Sequence, residues 1–600
     1  MALALFGHSP PALVDDRPLV SGRHPLHLYH GYLGAQSLRS RGSTCSYDPA
    51  FQAGYPKTPI FDDGSRPAEL VLAAAGGACS PAAYKLGLFG SLLALTPLLL
   101  IAARAAGLGR LESLAAAALA LLVWWGRPCR QALVAGDVDI LAALVLALCY
   151  LAFLIGFDRS PRVGYWLGMA LTGAAGIYAN PAVFLVLLPV FLIYYLMAGP
   201  GHGLGWHLGL FLACTIAIGS NGLWLKDWFA SWWIHLPLAF PSELLAHRTL
   251  RSLWETVLWG TPADRALTLC ILAAGLIGGF AWGLEGHKVA ARSIGLACAL
   301  FLLLALGGVS WQPLGRFGTE RLVIGAVMLA AIPAARLGAA SYWMLSIVLA
   351  SRMVRLVVCG LIFSGIGLAG RNWIVDLYRQ IERTEALPLG LTVDQESLVA
   401  RLRSRTDTSG RILWEERSSE LEQSCWTALL PVLTDRSYLG GLGPLISIEH
   451  GYARLTDQSL AGRQLALWSD AELEDFCRRY NVRWIVVWSP ANRDRLQSWS
   501  GIVGHETLPC GATLLARPPG SYVLKGSAVW HSAEPDRIIL TNVVPDDGKV
   551  VLSLHYHGSL RVSPSRVRLE REPDAADPIP FVRLRLPAPA SLVTISADEH

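Results

Sequence analysis

Long apolar runs fill the middle of this chain, and mixed polar stretches flank them on both sides. Residues 82–370 carry only scattered charges, whereas 371–600 have the mixed composition of a water-soluble fold. Lipid cannot satisfy exposed backbone groups, so a spanning helix needs about twenty mostly apolar residues. The pattern predicts ten such segments: 84–104, 111–125, 139–157, 164–178, 182–198, 205–220, 264–283, 293–310, 321–335 and 342–369. Several are short, which leaves open burial within a bundle or merger with a neighbour.

Beyond the apolar runs the period changes. Residues 371–395 read as a partly helical connection, followed by a helix around 396–404. RILWEE (Arg411–Glu416) alternates like a strand, and ELEQSCWTALLPVLT reads as a helix. Ser469 with Glu472 three residues on marks a helix start, the amphipathic pattern runs to Arg479, and Arg483–Trp488 follows as a buried strand. After residue 520 short alternating strands separated by Gly, Pro and Asp predict a β-sandwich of about eighty residues. Asp546-Asp547-Gly548 is a turn signal, and His555 and His557 read as surface residues on one strand face. The expected organisation is a first exoplasmic loop with an acidic motif over 1–83 and a transmembrane core over 84–370. An exoplasmic α/β domain over 371–519 and a β-sandwich over 520–600 complete it.

Composition agrees with the membrane reading. Hydrophobic residues make up 53% and charged residues 16% of the 600, with a mean hydropathy of +0.41. A net charge of +5, small and dispersed along the chain, does not suggest a nucleic-acid surface. Cys149, Cys214, Cys270, Cys298 and Cys359 lie in apolar segments and read as small core residues. Basic residues set orientation. Arg104, Arg110, Arg159, Arg162, His202, His207, Lys288, Arg292 and Arg336 fall in alternate turns, which become cytoplasmic if segment 1–83 lies outside. Arg127 and Arg130 in the opposing loop 126–138 depart from the rule, and the tryptophan-rich loop 221–263 reads as interfacial. Ten crossings place 1–83 and 371–600 on one exoplasmic side of a plasma membrane of bacterial type. Ala2–Phe6 is too short to span, so it reads as the outer end of a helix lying upstream of Met1; the alternative is an exported N-terminal tail.

The first polar segment holds candidate chemistry. Asp15 and Asp16 stand at the membrane surface, where a carboxylate can act as general base or share a divalent cation such as Mg or Mn. His24, His27 and His30 share one helical face; substrate hydrogen bonding or packing suits them better than zinc. Gly54–Pro59 spells a G-Y-P-K-T-P turn leading to Asp62, Asp63 and Arg66, with Lys57 a candidate phosphate contact. Asp137 and Asp139 open the third segment; the helix dipole alone would favour them, and a cation shared with Asp16 is the functional alternative. Arg316 in WQPLGRFGTER suits a lipid phosphate, while Arg321 and Glu320 could pair with each other. Arg352 and Arg355 interrupt the last segment and fit an interfacial stretch.

The Asp15-Asp16 pair, the His/Tyr helix and Gly54-Tyr55-Pro56-Lys57 together resemble the GT-C superfamily of polytopic glycosyltransferases, such as protein mannosyltransferases and aminoarabinose transferases. Asp137-Val138-Asp139 is similar to the D-x-D element of oligosaccharyltransferases in that superfamily, although the soluble domain lacks a Trp-Trp-Asp acceptor motif. The QPLGRF stretch and the tail after it are similar to YfhO-like membrane proteins. The resemblance implies a GT-C-like bundle that passes a sugar from a polyprenyl-phosphate-linked donor to a glycan, lipid or protein acceptor on the exoplasmic face. It implies catalytic Asp15 and Asp16, substrate contacts from His30, Tyr55, Lys57 and Arg316, and a metal held by Asp16, Asp137 and Asp139. A lipid-linked sugar flippase and a non-catalytic envelope scaffold are the alternatives.

Overall fold

The computed structural model describes residues 6, 9–58, 64–231, 262–310, 319–348, 353, 357, 386–417, 424–442, 448–457, 459–508 and 510–597. Ala2–Leu5, Asp62, Asp63, Trp232, Trp233, Trp254, Trp259, Arg316, Arg352, Arg355 and Cys359 lie outside the described residues. Two compact units form. One joins Met1–Leu13, Leu86–Gly222 and Leu238–Leu387; the other joins Val14–Lys85, Leu223–Pro237 and Pro388–His600. The first polar segment therefore does not fold alone.

In the first unit, the first nine predicted segments fall on helices: Pro81–Ala105, Arg110–Trp124, Val138–Arg159, Val163–Ala179, Pro181–Ala198, Leu204–Gly219, Pro262–Leu284, Lys288–Ser310 and Leu322–Val348. Among the described residues, five are long and apolar enough to cross a membrane, or six if Leu204–Gly219 and Gly222–Ala230 count as one bent span. The expected break near 336–341 is missing, because Leu322–Val348 runs through it. Arg336 does not interrupt this helix: its guanidinium pairs with Glu112 at 2.8 Å and with Glu285. Loop 126–138 also departs from expectation, forming the short helix Arg127–Ala135.

Val138–Arg159 is apolar on every face and sits at the centre of its unit, buried along nearly its whole length. Pro181–Ala198 and Leu204–Gly219 instead leave Leu185, Leu188, Leu192, Leu196, Leu208 and Phe211 exposed. Water would not tolerate so broad an apolar surface; lipid does. Cys214 and Cys270 are exposed on such helices, which corrects their reading as core residues; Cys149 is buried. Small residues bring helices together. A side chain at Gly278 would collide with the Pro333 carbonyl, so Pro262–Leu284 lies against Leu322–Val348 at backbone distance.

In the second unit, the strand Arg411–Glu416 runs parallel to Val482–Val487, which pairs antiparallel with Thr513–Ala516. All six residues of Arg411–Glu416 are buried, charged ones included. Each charge has partners. Arg411 donates to the Tyr480 carbonyl at 2.7 Å and the Ser553 carbonyl at 2.6 Å, and Glu415 accepts from Ser489 N at 3.0 Å and Asn492 Nδ2 at 2.7 Å. In the predicted helix ELEQSCWTALLPVLT, the described residues form a 3-10 turn, Trp426–Leu429, and the short helix Leu430–Thr434. The helix Asp470–Arg479 carries the expected Ser469–Glu472 capping box.

From Val523 onward, two four-stranded antiparallel sheets close a sandwich. His555, expected at the surface, is fully buried: its Nε2 lies 2.9 Å from Asp577, which also accepts from Tyr480. The first polar segment fills the seam between the sandwich and the α/β sheet. Tyr47 Oη donates to the His555 carbonyl at 2.5 Å, Arg41 pairs with Asp536 at 2.8 Å, and Gln52 N donates to the Tyr438 carbonyl at 2.9 Å.

Candidate functional site

Two groups of polar residues carry the candidate chemistry, one in each unit. In the membrane unit, Gly136 (φ 91°) ends the helix Arg127–Ala135 and turns the chain so that Asp137 stands at the N-terminus of Val138–Arg159. Asp137 and Asp139 are buried. Arg321 reaches Asp137 Oδ2 at 2.5 Å, and Asn180 Nδ2 donates to Asp139 Oδ2 at 2.9 Å. Asn180 in turn accepts from Ala182 N at 3.0 Å, which fixes the start of Pro181–Ala198. The suggested Arg321–Glu320 pair is thus replaced by Arg321–Asp137. Sequence reading passed over Asn180 as a loop residue.

A divalent cation asks for a shell of six or more hard oxygens. Arg321 already supplies the countercharge to Asp137, and Asn180 occupies one Asp139 oxygen. Asp139 Oδ1 is buried with no hydrogen-bond partner among the described residues. Among the described residues no three His, Cys, Asp or Glu side chains group as a metal site.

The opposite end of this unit collects the basic turns. Arg159 donates to the Ala106 carbonyl at 2.6 Å and lies over the Trp282 ring, and His202 pairs with Asp158 at 2.6 Å. Arg336 ties Glu112 to Glu285 there.

In the second unit, Asp15 and Asp16 have unlike surroundings. The Asp15 carboxylate pairs with the buried Lys85 ammonium and with Arg17 at 2.6 Å. Burial alone would raise its pKa, but Lys85 and Arg17 outweigh that and hold it below the usual carboxylate range. Asp16 is exposed, with no ion pair or hydrogen bond among the described residues. Tyr84, next to Lys85, meets His24 Nδ1 at 2.8 Å, so the start of helix Pro81–Ala105 grips both ends of segment 15–24.

The helix His24–Arg41 buries all three of its histidines. His30 Nε2 lies 3.0 Å from Tyr55 Oη, and the His27 ring fills the space a side chain at Gly64 would need. The packing reading therefore describes them. Tyr55–Lys57 is not a turn but a strand paired with Ser46–Asp48. Gly54 (φ 97°) makes the approach, since any side chain there would strike the Tyr47 hydroxyl. Lys57 is fully buried, pairs with buried Glu69 and donates to the Thr44 carbonyl at 3.2 Å. Contact with a phosphate would require that pair to open. His30 and Tyr55 are equally enclosed, and Arg316 lies outside the described residues.

Tyr29 Oη donates to Asp48 Oδ2 at 2.8 Å, and Ala50 N donates to Oδ1 at 2.8 Å. Burial outweighs these bonds and raises the Asp48 pKa to about 7. The folded chain thus holds this proton more tightly than the unfolded chain, so the contribution is full below about pH 4 and is lost as pH rises towards 7. The melting temperature of the full chain should decline over that window, and Asp48→Asn should flatten the decline. An unchanged slope would remove Asp48 as its source.

No protein-family profile and no curated protein sequence matches the chain. Solved structures do. The arabinofuranosyltransferase AftD from Mycobacteria is similar at TM-score 0.52 and 13% identity, covering 100% of this chain and 56% of that one. The chain thus spans a little over half the length of AftD. The Archaeoglobus fulgidus oligosaccharyltransferase is similar at TM-score 0.46 and 12% identity, over 96% of this chain and 78% of that one. ArnT from Cupriavidus metallidurans, in a structure bound to undecaprenyl phosphate, gives 0.36 and 12%, over 86% and 96%. The likeness to AftD is one of fold.

Proposed function

We propose that the chain is a membrane glycosyltransferase that takes a sugar from a polyprenyl-phosphate-linked donor and passes it to an acceptor at the exoplasmic face. The observation that carries the reading is the contrast between Asp15 and Asp16. Lys85 and Arg17 neutralise and fix the first, while the second stands open on the same turn. That is how a general base is held: a locked neighbour sets the backbone, and a free carboxylate meets the acceptor.

In the proposed step Asp16 removes the proton of an acceptor hydroxyl as its oxygen attacks the anomeric carbon. The new carbon–oxygen bond forms as the bond to the donor phosphate breaks, and polyprenyl phosphate departs with that electron pair. Asp15 is a positioning residue.

Orientation follows from charge. The basic turns gather at the end of the bundle away from Asp137 and Arg321, which makes that basic end cytoplasmic. Residues 14–85 and 388–600 belong to one folded unit, through which no bilayer can pass, so they share one face of the membrane. The test is transfer from radiolabelled polyprenyl-phosphate pentose and hexose donors by the full chain in lipid nanodiscs. Absence of transfer with every donor, alongside donor movement between leaflets, would favour a flippase instead.

A further inference from the structure

We propose that an anionic phospholipid of the surrounding bilayer seats in a groove of the membrane bundle, its phosphate held by Lys288 and Arg292. The groove has a volume of about 720 Å³ and lies between the helices Pro262–Leu284 and Lys288–Ser310, with Ala330 and Pro333 of the next helix as its floor. Its walls are apolar, and Leu276, Phe280 and Leu284 are exposed along one side. Gly279 and Gly295 keep it open; a side chain at Gly295 would meet nothing within 4 Å. In a membrane such a trough is filled by a hydrocarbon chain, since no polar group lines its length to hold water.

The mouth decides the headgroup. Lys288 and Arg292 line the groove one helical turn apart, both exposed, and neither has an ion pair among the described residues. The neighbouring carboxylate, Glu285, is already taken by Arg336. Two uncommitted cations beside an apolar trough complement a lipid with a negative phosphate and one chain lying along the protein.

The depth decides which lipid. Gly275 packs on Ala330 and Gly278 on Pro333, so Pro262–Leu284 and Leu322–Val348 run side by side in the same direction. Lys288 therefore lies level with Arg336, roughly 20 Å along the bundle from Arg321. This is the basic end, where the leaflet with the higher anionic content lies. A phosphate seated there is remote from Asp137 and Asp139, and the inference stands whether or not the chain transfers sugars.

The test uses the full chain in nanodiscs and native mass spectrometry of retained lipid, offered phosphatidylglycerol, phosphatidylcholine and undecaprenyl phosphate. The wild type should keep one phosphatidylglycerol and little phosphatidylcholine. The double substitution Lys288→Gln with Arg292→Gln, which alters exposed charges only, should lower that retention roughly tenfold or more. Gly295→Leu, whose Cβ meets nothing within 4 Å and whose side chain would occupy the trough, should lower it as well. Equal retention of phosphatidylcholine, preference for undecaprenyl phosphate, or unchanged retention in the double variant would each overturn the assignment.

Discussion

Asp16→Asn should abolish sugar transfer while leaving the fold intact. Asparagine keeps the size and polarity of the side chain but cannot accept the acceptor's proton. General base catalysis contributes roughly 10²–10⁴-fold, so kcat should fall by that order with KM nearly unchanged. Asp16 is exposed and makes no ion pair, so its substitution should not move the melting temperature. Asp15→Asn differs in a way that serves as the control. It strips the countercharge from buried Lys85 and should lower the melting temperature together with activity. Transfer by the Asp16→Asn chain at the wild-type rate would refute the base assignment; loss from Asp15→Asn alone would move it one residue back.

Such a division of labour between adjacent aspartates could not be read from the sequence, because it depends on Lys85, seventy residues away. The legible parts were those where one physical rule acts locally. Apolar length predicted the helices, the Ser469–Glu472 capping box predicted Asp470–Arg479, and strand alternation between turn residues predicted the sandwich. Reading failed where distant partners rewrite a residue's surroundings. RILWEE read as a strand, and nothing in its sequence marked Arg411 and Glu415 as buried, yet Tyr480, Ser553, Ser489 and Asn492 satisfy both inside the fold. His555 looked exposed for the same reason, with its partner Asp577 on another strand. Arg321 carried no local signal for Asp137, from which it is separated by several helices in sequence. Charge patterns predict contacts poorly.

Lys57 puts that distinction to a quantitative test, since its sequence context suggested phosphate and its surroundings say otherwise. The strand Tyr55–Lys57 delivers its ammonium to Glu69 of the helix Ser65–Ala74, and both side chains are wholly buried. Gly34 is what lets them meet: a side chain there would lie 2.6 Å from the Glu69 carboxyl carbon and 2.8 Å from Lys57 Nζ. Ser65 Oγ adds a bond to Glu69 at 3.2 Å. Removing one member of such a pair leaves a buried charge without compensation, at a cost of about 3–5 kcal/mol, whereas replacing both with apolar residues is often near neutral. Lys57→Met should therefore lower the melting temperature by on the order of 10 °C. Lys57→Met combined with Glu69→Met should restore most of it, together with any transfer activity lost in the single variant. A phosphate-binding lysine predicts the opposite pattern: a normal melting temperature in the single variant, a raised KM for the lipid-linked donor, and no rescue by the second substitution. The double variant separates the two roles because Glu69→Met can repair a buried imbalance but cannot supply a cation to a phosphate.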